Sequence, residues 1–453
     1  MPDSSTLFDR ALSRIVSAWR DVSGAAPAPP ARTLSDRIRD CLDARGGEVS
    51  ARHRAALLAQ DYLAADEAGR LEFLGVLAGF DSDPAAVARA YDAVRDAPDA
   101  AERARATLAL RRALEPPRAR LLTQFASIPD GCKFLVDMRA LLLRARDRDP
   151  GLAALESDLR GLLAAWFDVA FLETKRIDWA SPAALLEKLI DYEAVHAIRS
   201  WRDMKNRLDP DRRCYGFFHP RMPGEPLIFV QVALTRGLAD NIQALLDEDA
   251  PVQEAAGADT AIFYSITNCQ AGLAGISFGN FLIKRVVEEL SAEFRALRQF
   301  ATLSPIPGFR RWLDGALSPD LFLPEERAAL LAAHPAEDAA RSLAAVLAAP
   351  QWWRDGTSRA AAEPALTRLC ARYLLTEGGS RARDPVAHFH LTNGARVERL
   401  NMAADTSDKG LRESCGLMVN YLYDPARIEA CHEDYAREGK RNASSAVRRL
   451  ARE

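Results

Sequence analysis

The sequence predicts an α+β protein of more than one domain, with an all-helical bundle first and a mixed-sheet domain after it. A chain of 453 residues is longer than one ordinary domain. Residues 1–190 are rich in Ala, Leu, Arg, Asp and Glu, which is a helix-forming composition. From about residue 191 onward, runs of β-branched and aromatic residues alternate with segments of helical periodicity. That alternation is typical of a central sheet with interleaved helices.

The first part, residues 1–190, is expected to form a bundle of about eight helices. Pro and Gly breaks separate its segments, and apolar residues recur between the breaks at helical spacing. One amphipathic helix is expected over residues 8–19. No catalytic constellation occurs in this part, so we assign it to contacts between subunits of a homo-oligomer.

The second part, residues 191–453, is expected to hold the only sheet of the chain and the chemistry. Strands are predicted over residues 214–218, 227–233, 261–266, 299–303, 386–391 and 397–401. Helices are predicted over residues 239–247, 280–297, 308–317 and 408–416, with an all-helical insertion between residues 323 and 376.

Bulk composition argues against several classes of function. The 60 basic and 63 acidic residues leave a net charge of −3, which gives no reason to expect nucleic acid or an anionic membrane as a partner. The seven cysteines are scattered without a CxxC pair, which favours reduced thiols in a cytoplasmic protein over a zinc site. No run of about 18 apolar residues occurs, so no membrane span is expected.

A strand, a glycine loop and a helix over residues 260–312 predict an anion site. The loop contains Gly272, Gly275 and Gly279. Backbone N–H groups and the helix dipole attract anions at such a point, and Lys284 and Arg285 follow one turn into the helix. The spacing matches neither a P-loop nor a dinucleotide fingerprint, and it suits a diphosphate held by backbone, as in coenzyme A. A turn that uses glycine only for its backbone geometry is an equally good interpretation.

Ser304 stands at the end of the strand predicted over residues 299–303. Ligands collect at the carboxyl ends of strands in an open sheet. The neighbouring Pro305 and Pro307 stiffen the loop, so the hydroxyl would be held at little entropic cost. A serine that merely starts a turn before proline is the alternative.

His388 and His390 fall on the strand predicted over residues 386–391, where side chains two apart share a face. Such a pair can bind a metal, but a metal site needs a third protein ligand, and the nearby sequence offers no HxxxE and no second HxH. We therefore expect no metal. Tyr423 is a candidate for a supporting hydrogen bond, with plain aromatic packing as the alternative.

Four blocks of the second part resemble the malonyl-CoA decarboxylase family, in the family's order. They read FFHPRMPGEPLIFVQVALT, GISFGNFLIKRVVEEL followed by LSPIPGF, VAHFHLTNGARVERLNMAADTS, and ESCGLMVNYLYD. The resemblance implies a catalytic domain similar to the GNAT-type acetyltransferase fold, preceded by a helical domain that makes dimer or tetramer contacts. It also implies Ser304 as the catalytic serine and His390 as the catalytic histidine. The glycine spacing is wider than the Q/R-x-x-G-x-G/A loop of acetyltransferases.

The resulting hypothesis is decarboxylation of malonyl-CoA to acetyl-CoA and CO2 by a Ser/His pair, without metal or biotin. His390 would give a proton to the carbanion, because its unperturbed pKa of about 6.5 lets it lose and regain a proton near neutral pH. Ser304 would orient the malonyl group. The residues expected to hold CoA are Ala274, Gly275, Ile276, Ser277, Phe278, Gly279 and Asn280.

Two other functions stay open at this point. One is a CoA-dependent acyltransferase with an amine acceptor, since a Ser–His pair also suits acyl transfer. Against it, the sequence shows no Asp that is evidently tied to His390. The other is a helical scaffold that carries a degenerate CoA-binding domain.

Overall fold

The computed structural model describes residues 33–43, 47–276 and 281–452. These residues form two units. Among the described residues, the helical unit comprises those up to Leu172 together with His219–Glu225 and residues 270–276, and the sheet unit comprises the others. The helix expected over residues 8–19 lies outside the described residues. No helix within them is both long and apolar enough to cross a membrane.

The helical unit is a succession of α-helices whose ends follow ordinary capping rules. Its helices are α1 Leu34–Leu42, α2 Gly47–Ala64, α3 Glu67–Ala78, α4 Pro84–Arg95, α5 Ala100–Leu114, α6 Pro117–Ala126, α7 Gly131–Ala145 and α8 Pro150–Trp166. Asp66 caps α3 by accepting from the Gly69 N–H, and Asp99 caps α5 in the same way. The core contains the fully buried Phe125 and Phe134, with Tyr62 against Phe134 edge to face.

Helices α4 and α5 differ from the rest of this unit because neither has a buried residue. They pack on each other as a hairpin. Tyr91, Leu108 and Leu114 on this hairpin are more than half exposed. Large exposed apolar side chains are a feature of contact sites for other proteins.

The sheet unit contains one mixed sheet of eight strands. They are β1 Glu173–Ile177, β2 Arg212–Phe218, β3 Pro226–Thr235, β4 Thr260–Asn268, β5 Gln299–Thr302, β6 Ser304–Pro305, β7 Arg396–Asn401 and β8 Met418–Tyr423. Strands β1 to β4 are antiparallel neighbours, β4 and β5 are parallel, and β8 pairs antiparallel with β5, β6 and β7. This confirms the α+β class. The parallel pair around a helix is consistent with the acetyltransferase-like part of the prediction.

The boundary predicted at residue 190 is wrong, because the sheet begins earlier. Strand β1 lies within the part predicted to be all helix, and it pairs along its length with β2. Its sequence, ETKRI, has polar or charged residues at four of five positions and resembles a solvated helix end more than a strand. An edge strand tolerates such residues because one of its sides faces solvent.

The helices of the sheet unit surround and extend the sheet. They are α9 Ala183–Tyr192, α10 Trp201–Asn206, α11 Ile242–Leu245, α12 Phe281–Glu293, α13 Phe309–Ala316, α14 Pro324–Ala333, α15 Ala339–Ala348, α16 Gly356–Thr376, α17 Pro385–Thr392, α18 Asp408–Ser414, α19 Ile428–Glu438 and α20 Ser445–Arg452. Helices α14, α15 and α16 confirm the predicted insertion. The strand predicted over residues 386–391 is wrong, because these residues form α17, which Asp384 caps.

Candidate active site

Ser304 lies where the sheet divides. Strand β5 pairs with β4 as far as Phe263 and Thr302, and the chain then continues as β6 along the edge of β8, with Ser304 opposite Val419. Strand β4 runs on to Asn268 beside β3. Ser304 is therefore held by backbone pairing on β8, while β4 continues beside β3.

His390 reaches the same place from helix α17. The carboxylate of Asp384 accepts hydrogen bonds from the Val386 and Ala387 N–H groups, at 3.0 Å each, and from the Gly308 N–H at 3.1 Å. One buried side chain thus ties the helix that carries His390 to the loop that follows Ser304. Burial raises the pKa of Asp384.

The three predicted catalytic residues form one hydrogen-bonded chain. His390 Nε2 lies 3.1 Å from Ser304 Oγ, and His390 Nδ1 lies 2.7 Å from the Tyr423 hydroxyl. Ser304 Oγ donates to Thr302 Oγ1 at 2.8 Å. All four side chains are at most 5% exposed. Residues from distant points of the sequence are thus brought into direct contact.

The direction of the hydrogen bonds in this chain follows from the position of the Ser304 proton. Because Ser304 donates to Thr302, its oxygen is left to accept from His390, so the proton of the neutral imidazole is on Nε2. The bare Nδ1 then accepts from the Tyr423 hydroxyl. This arrangement is the reverse of a serine nucleophile, whose hydroxyl donates to a histidine base.

His390 is held in its neutral form. Burial alone lowers its pKa to about 3, because neither ring nitrogen contacts a carboxylate that would favour the imidazolium. The Tyr421 ring stacks on the imidazole with centroids 4.5 Å apart, which adds to its desolvation. The expectation that His390 titrates near neutral pH is therefore wrong for the free enzyme. Burial also raises the pKa of Tyr423, so the phenol keeps its proton.

His388 does not share a face with His390. On a helix, residues two apart point to nearly opposite sides, and His388 Nδ1 instead lies 2.8 Å from the Tyr435 hydroxyl. That hydroxyl accepts from the Ala382 N–H. Among the described residues, no three His, Cys, Asp or Glu side chains lie together as metal ligands would.

The described part of the glycine loop is held by the helical unit. An ideal Cβ at Gly272 would lie 1.7 Å from the Val136 carbonyl oxygen, so only glycine fits there. Arg139, which is buried and bonded to Glu156, donates to the Gly272 carbonyl at 2.5 Å. Arg160 donates to the Gly275 carbonyl at 3.2 Å.

Two of the N–H groups predicted to face the pyrophosphate are already used. The Ala274 N–H donates to the Ala271 carbonyl and the Ile276 N–H to the Leu273 carbonyl, because the loop is a run of tight turns. In the described structure, the Gly275 N–H has no acceptor, and Gly275 has a left-handed φ of 74°. The other predicted ligands, Ser277, Phe278, Gly279 and Asn280, lie outside the described residues. Lys284 forms an ion pair with Glu429 at 2.7 Å.

Several residues of the site were missed by sequence reasoning. They are Thr302, Asp384 and Tyr421 beside the pair, and Arg139 and Arg160 beside the loop. Strand β8, which carries Tyr421 and Tyr423, was not predicted as a strand. Its alternation of Val419, Tyr421 and Tyr423 was the available signal.

Comparison with known proteins identifies the family of this chain. A profile of the malonyl-CoA decarboxylase C-terminal domain matches residues 170–453, and one of the N-terminal domain matches residues 80–167. The chain belongs to the malonyl-CoA decarboxylase family. A mouse member, named malonyl-CoA decarboxylase, mitochondrial, is 41% identical over 381 residues, which are 79% of this chain and 77% of the mouse protein.

Solved structures of the family agree with this fold. The malonyl-CoA decarboxylase of Rhodopseudomonas palustris is 44% identical, with a TM-score of 0.83 over 92% of this chain and 98% of that one. That of Agrobacterium vitis is 42% identical, also with a TM-score of 0.83, over 92% and 99%. The predicted family is confirmed, and with it the prediction of an enzyme.

Proposed function

We propose that this enzyme decarboxylates malonyl-CoA to acetyl-CoA and CO2, with Ser304 and His390 as its catalytic residues. The hydrogen-bonded chain from Tyr423 through His390 to Ser304 carries the proposal, since it presents a neutral donor rather than a nucleophile. The names of the relatives support the substrate.

The proposed decarboxylation does not require a cofactor to accept electrons. Malonyl-CoA is a β-carbonyl acid, so its thioester carbonyl accepts the electron pair that CO2 leaves behind. The enzyme must turn the breaking bond perpendicular to the thioester plane, donate hydrogen bonds to the developing enolate, and deliver a proton to the α-carbon. We therefore propose that neither metal nor biotin takes part.

The proton path follows the chain as it stands. The Ser304 hydroxyl turns from Thr302 to the enolate and gives its proton to the α-carbon, while His390 Nε2–H supplies Ser304. Nδ1 takes the Tyr423 proton in turn. When a proton from solvent then reaches Nε2, the Nδ1 proton returns to Tyr423 and the resting chain is restored. The sum is malonyl-CoA plus one proton giving acetyl-CoA and CO2. A neutral imidazole suits this role because it relays a proton without a buried charge at rest.

Acyl transfer through a serine ester is less well supported. Such a path needs His390 to remove the Ser304 proton, and a third group to hold the histidine as a base. In this site the Ser304 proton points to Thr302, and the third group is the Tyr423 phenol rather than a carboxylate.

For the CoA moiety we propose a phosphate site at Gly275 and Arg160. The Gly275 N–H has no acceptor in the described structure. Arg160 is exposed and uses one of its five donors on the Gly275 carbonyl, so its guanidinium stays beside the loop with donors to spare. Arginine suits this position because its planar fork binds phosphate with two parallel hydrogen bonds.

The remaining expectations are retained as proposals. We propose a homo-oligomer that forms through the helical unit, supported by the exposed Tyr91, Leu108 and Leu114 of the α4–α5 hairpin. We also propose a cytoplasmic location, because the seven cysteines are scattered through the sequence without a CxxC pair. The mouse relative, by contrast, is named as mitochondrial.

One assay tests the main proposal. Purified enzyme receives malonyl-CoA with no acyl acceptor, and CO2 and acetyl-CoA are measured, with and without EDTA and with and without avidin. Equal amounts of both products under all conditions are expected. Product only after an amine is added would point to the acyltransferase, and loss with EDTA restored by zinc would contradict the metal-free chemistry.

A further inference from the structure

We propose that Thr302 is a positioning residue that fixes the direction of the whole proton chain by accepting the hydrogen of Ser304. This inference rests on the proposed decarboxylation, in which His390 must offer an N–H on the Ser304 side. It concerns a residue that touches no substrate atom and acts through Ser304.

Thr302 is placed rigidly at the end of β5. It is fully buried, and it lies two residues before Ser304, which begins β6. Its Oγ1 accepts from the Tyr421 N–H at 3.1 Å as well as from Ser304 Oγ at 2.8 Å. Its main-chain oxygen accepts from Asn420 Nδ2 at 2.7 Å. Strand β8 therefore holds Thr302 at its hydroxyl and at its main-chain oxygen.

This fixed acceptor decides which way the Ser304 proton points. With Thr302 present, Ser304 donates away from the imidazole and leaves a lone pair for His390 Nε2–H. Without it, the other described side-chain partner of Ser304 Oγ, His390 Nε2 at 3.1 Å, would accept the Ser304 proton. A neutral imidazole carries one proton, so that proton would move to Nδ1 and be donated to Tyr423.

The reversed chain is wrong for the proposed reaction. His390 would then present a bare nitrogen to Ser304, which draws the hydroxyl proton in instead of resupplying it. Thr302 also keeps Ser304 from acting as a nucleophile, since a serine that donates to a histidine is the arrangement of acyl-transfer enzymes.

The test compares three variants of Thr302 with a matched control. Thr302→Val removes the acceptor at nearly constant shape, Thr302→Ala removes it in case the valine variant does not fold, and Thr302→Ser keeps it. Thr260→Val is the control. Thr260 is also a fully buried threonine, on the neighbouring strand β4. Its hydroxyl donates to Asp259, which is not part of the hydrogen-bonded chain from Tyr423 to Thr302.

Two readouts are used. Steady-state kinetics with malonyl-CoA should show kcat falling about 10–100-fold in Thr302→Val and Thr302→Ala with KM nearly unchanged, while Thr302→Ser and Thr260→Val stay within about threefold of wild type. The second readout is the tautomer of His390, from NMR of enzyme with 15N-labelled histidine rings. The protein has seven histidines. The NMR signal of His390 is assigned as the one that is missing from the spectrum of His390→Gln.

The tautomer of His390 tests the role of Thr302 independently of enzyme activity. We expect the proton on Nε2 in wild type and Thr302→Ser, and on Nδ1 in Thr302→Val and Thr302→Ala. A wild-type proton on Nδ1, an unchanged tautomer without the hydroxyl, or an unchanged kcat would each overturn the proposal. A wild-type enzyme that makes no CO2 would instead contradict the proposed function. The tautomer of His390 would still test whether Thr302 sets the direction of the Ser304 proton.

Discussion

The pH dependence of catalysis is the most informative test of a neutral His390. Its pKa falls from an ordinary 6.5 to about 3 through burial. At pH 7 the imidazolium is then about one part in 10⁴, whereas an unperturbed histidine would be about one quarter protonated. If imidazolium were the acid, activity would fall tenfold per pH unit above about 6.5. If the neutral Nε2–H is the donor, activity should be level from about pH 5 to pH 8.

The assay is kcat/KM, which reports the pKa values of the free enzyme and free substrate. Malonyl-pantetheine is the better substrate for this assay, because it lacks the CoA phosphates, one class of which titrates near pH 6. A fall in kcat/KM above an apparent pKa of 6 to 7 that disappears in His390→Gln would refute the neutral donor. A level profile in wild type agrees with the structure.

The same pKa has a consequence for stability, with a definite sign. Above pH 6.5 the imidazole is neutral in both the folded and the unfolded chain, and it does not affect the pH dependence. Below pH 6.5 the unfolded chain takes up a proton that the buried site refuses, so the free energy of unfolding falls as the pH falls. The slope is about 1.4 kcal/mol per pH unit between pH 6.5 and about 3. Comparing wild type with His390→Gln by chemical denaturation isolates this contribution from that of the carboxyl groups.

Three further predictions concern the proposed residues. Ser304→Ala and His390→Ala should each lower kcat by about 10²–10⁴ with CoA binding intact, and the double variant should be little worse than the worse single one; strict additivity would show that they act in separate steps. Arg160→Gln should raise KM for malonyl-CoA but not for malonyl-pantetheine, whereas Arg111→Gln, a charge-matched change on α5, should alter neither; an equal rise with both substrates would make Arg160 merely structural. Leu108→Glu should lower the molar mass measured by light scattering, and an unchanged mass would remove the α4–α5 hairpin from the interface.

The periodic features of this protein can be predicted from its sequence. Helical spacing marks the bundle and the insertion, and apolar runs mark β2, β3, β4 and β5, because these elements bury one face or both in a regular pattern. The resemblance of four sequence blocks pointed to the family and selected Ser304 and His390. A stretch such as Pro385–Thr392, only eight residues long and rich in aromatic and β-branched residues, is ambiguous on pattern alone. Its Asp-Pro start, an N-cap followed by proline, was the signal for a helix.

The protonation states of the selected residues, in contrast, follow from contacts that form only in the folded protein. The charge of His390 depends on burial, and burial depends on rings and strands that are distant in sequence, such as the Tyr421 ring that stacks on the imidazole. The direction of the Ser304 proton depends on Thr302, a residue that is unremarkable until β5 and β8 pair and hold its hydroxyl in place. A sequence motif indicates which groups react. Their protonation follows from desolvation and hydrogen-bond geometry, which exist only after the chain has folded.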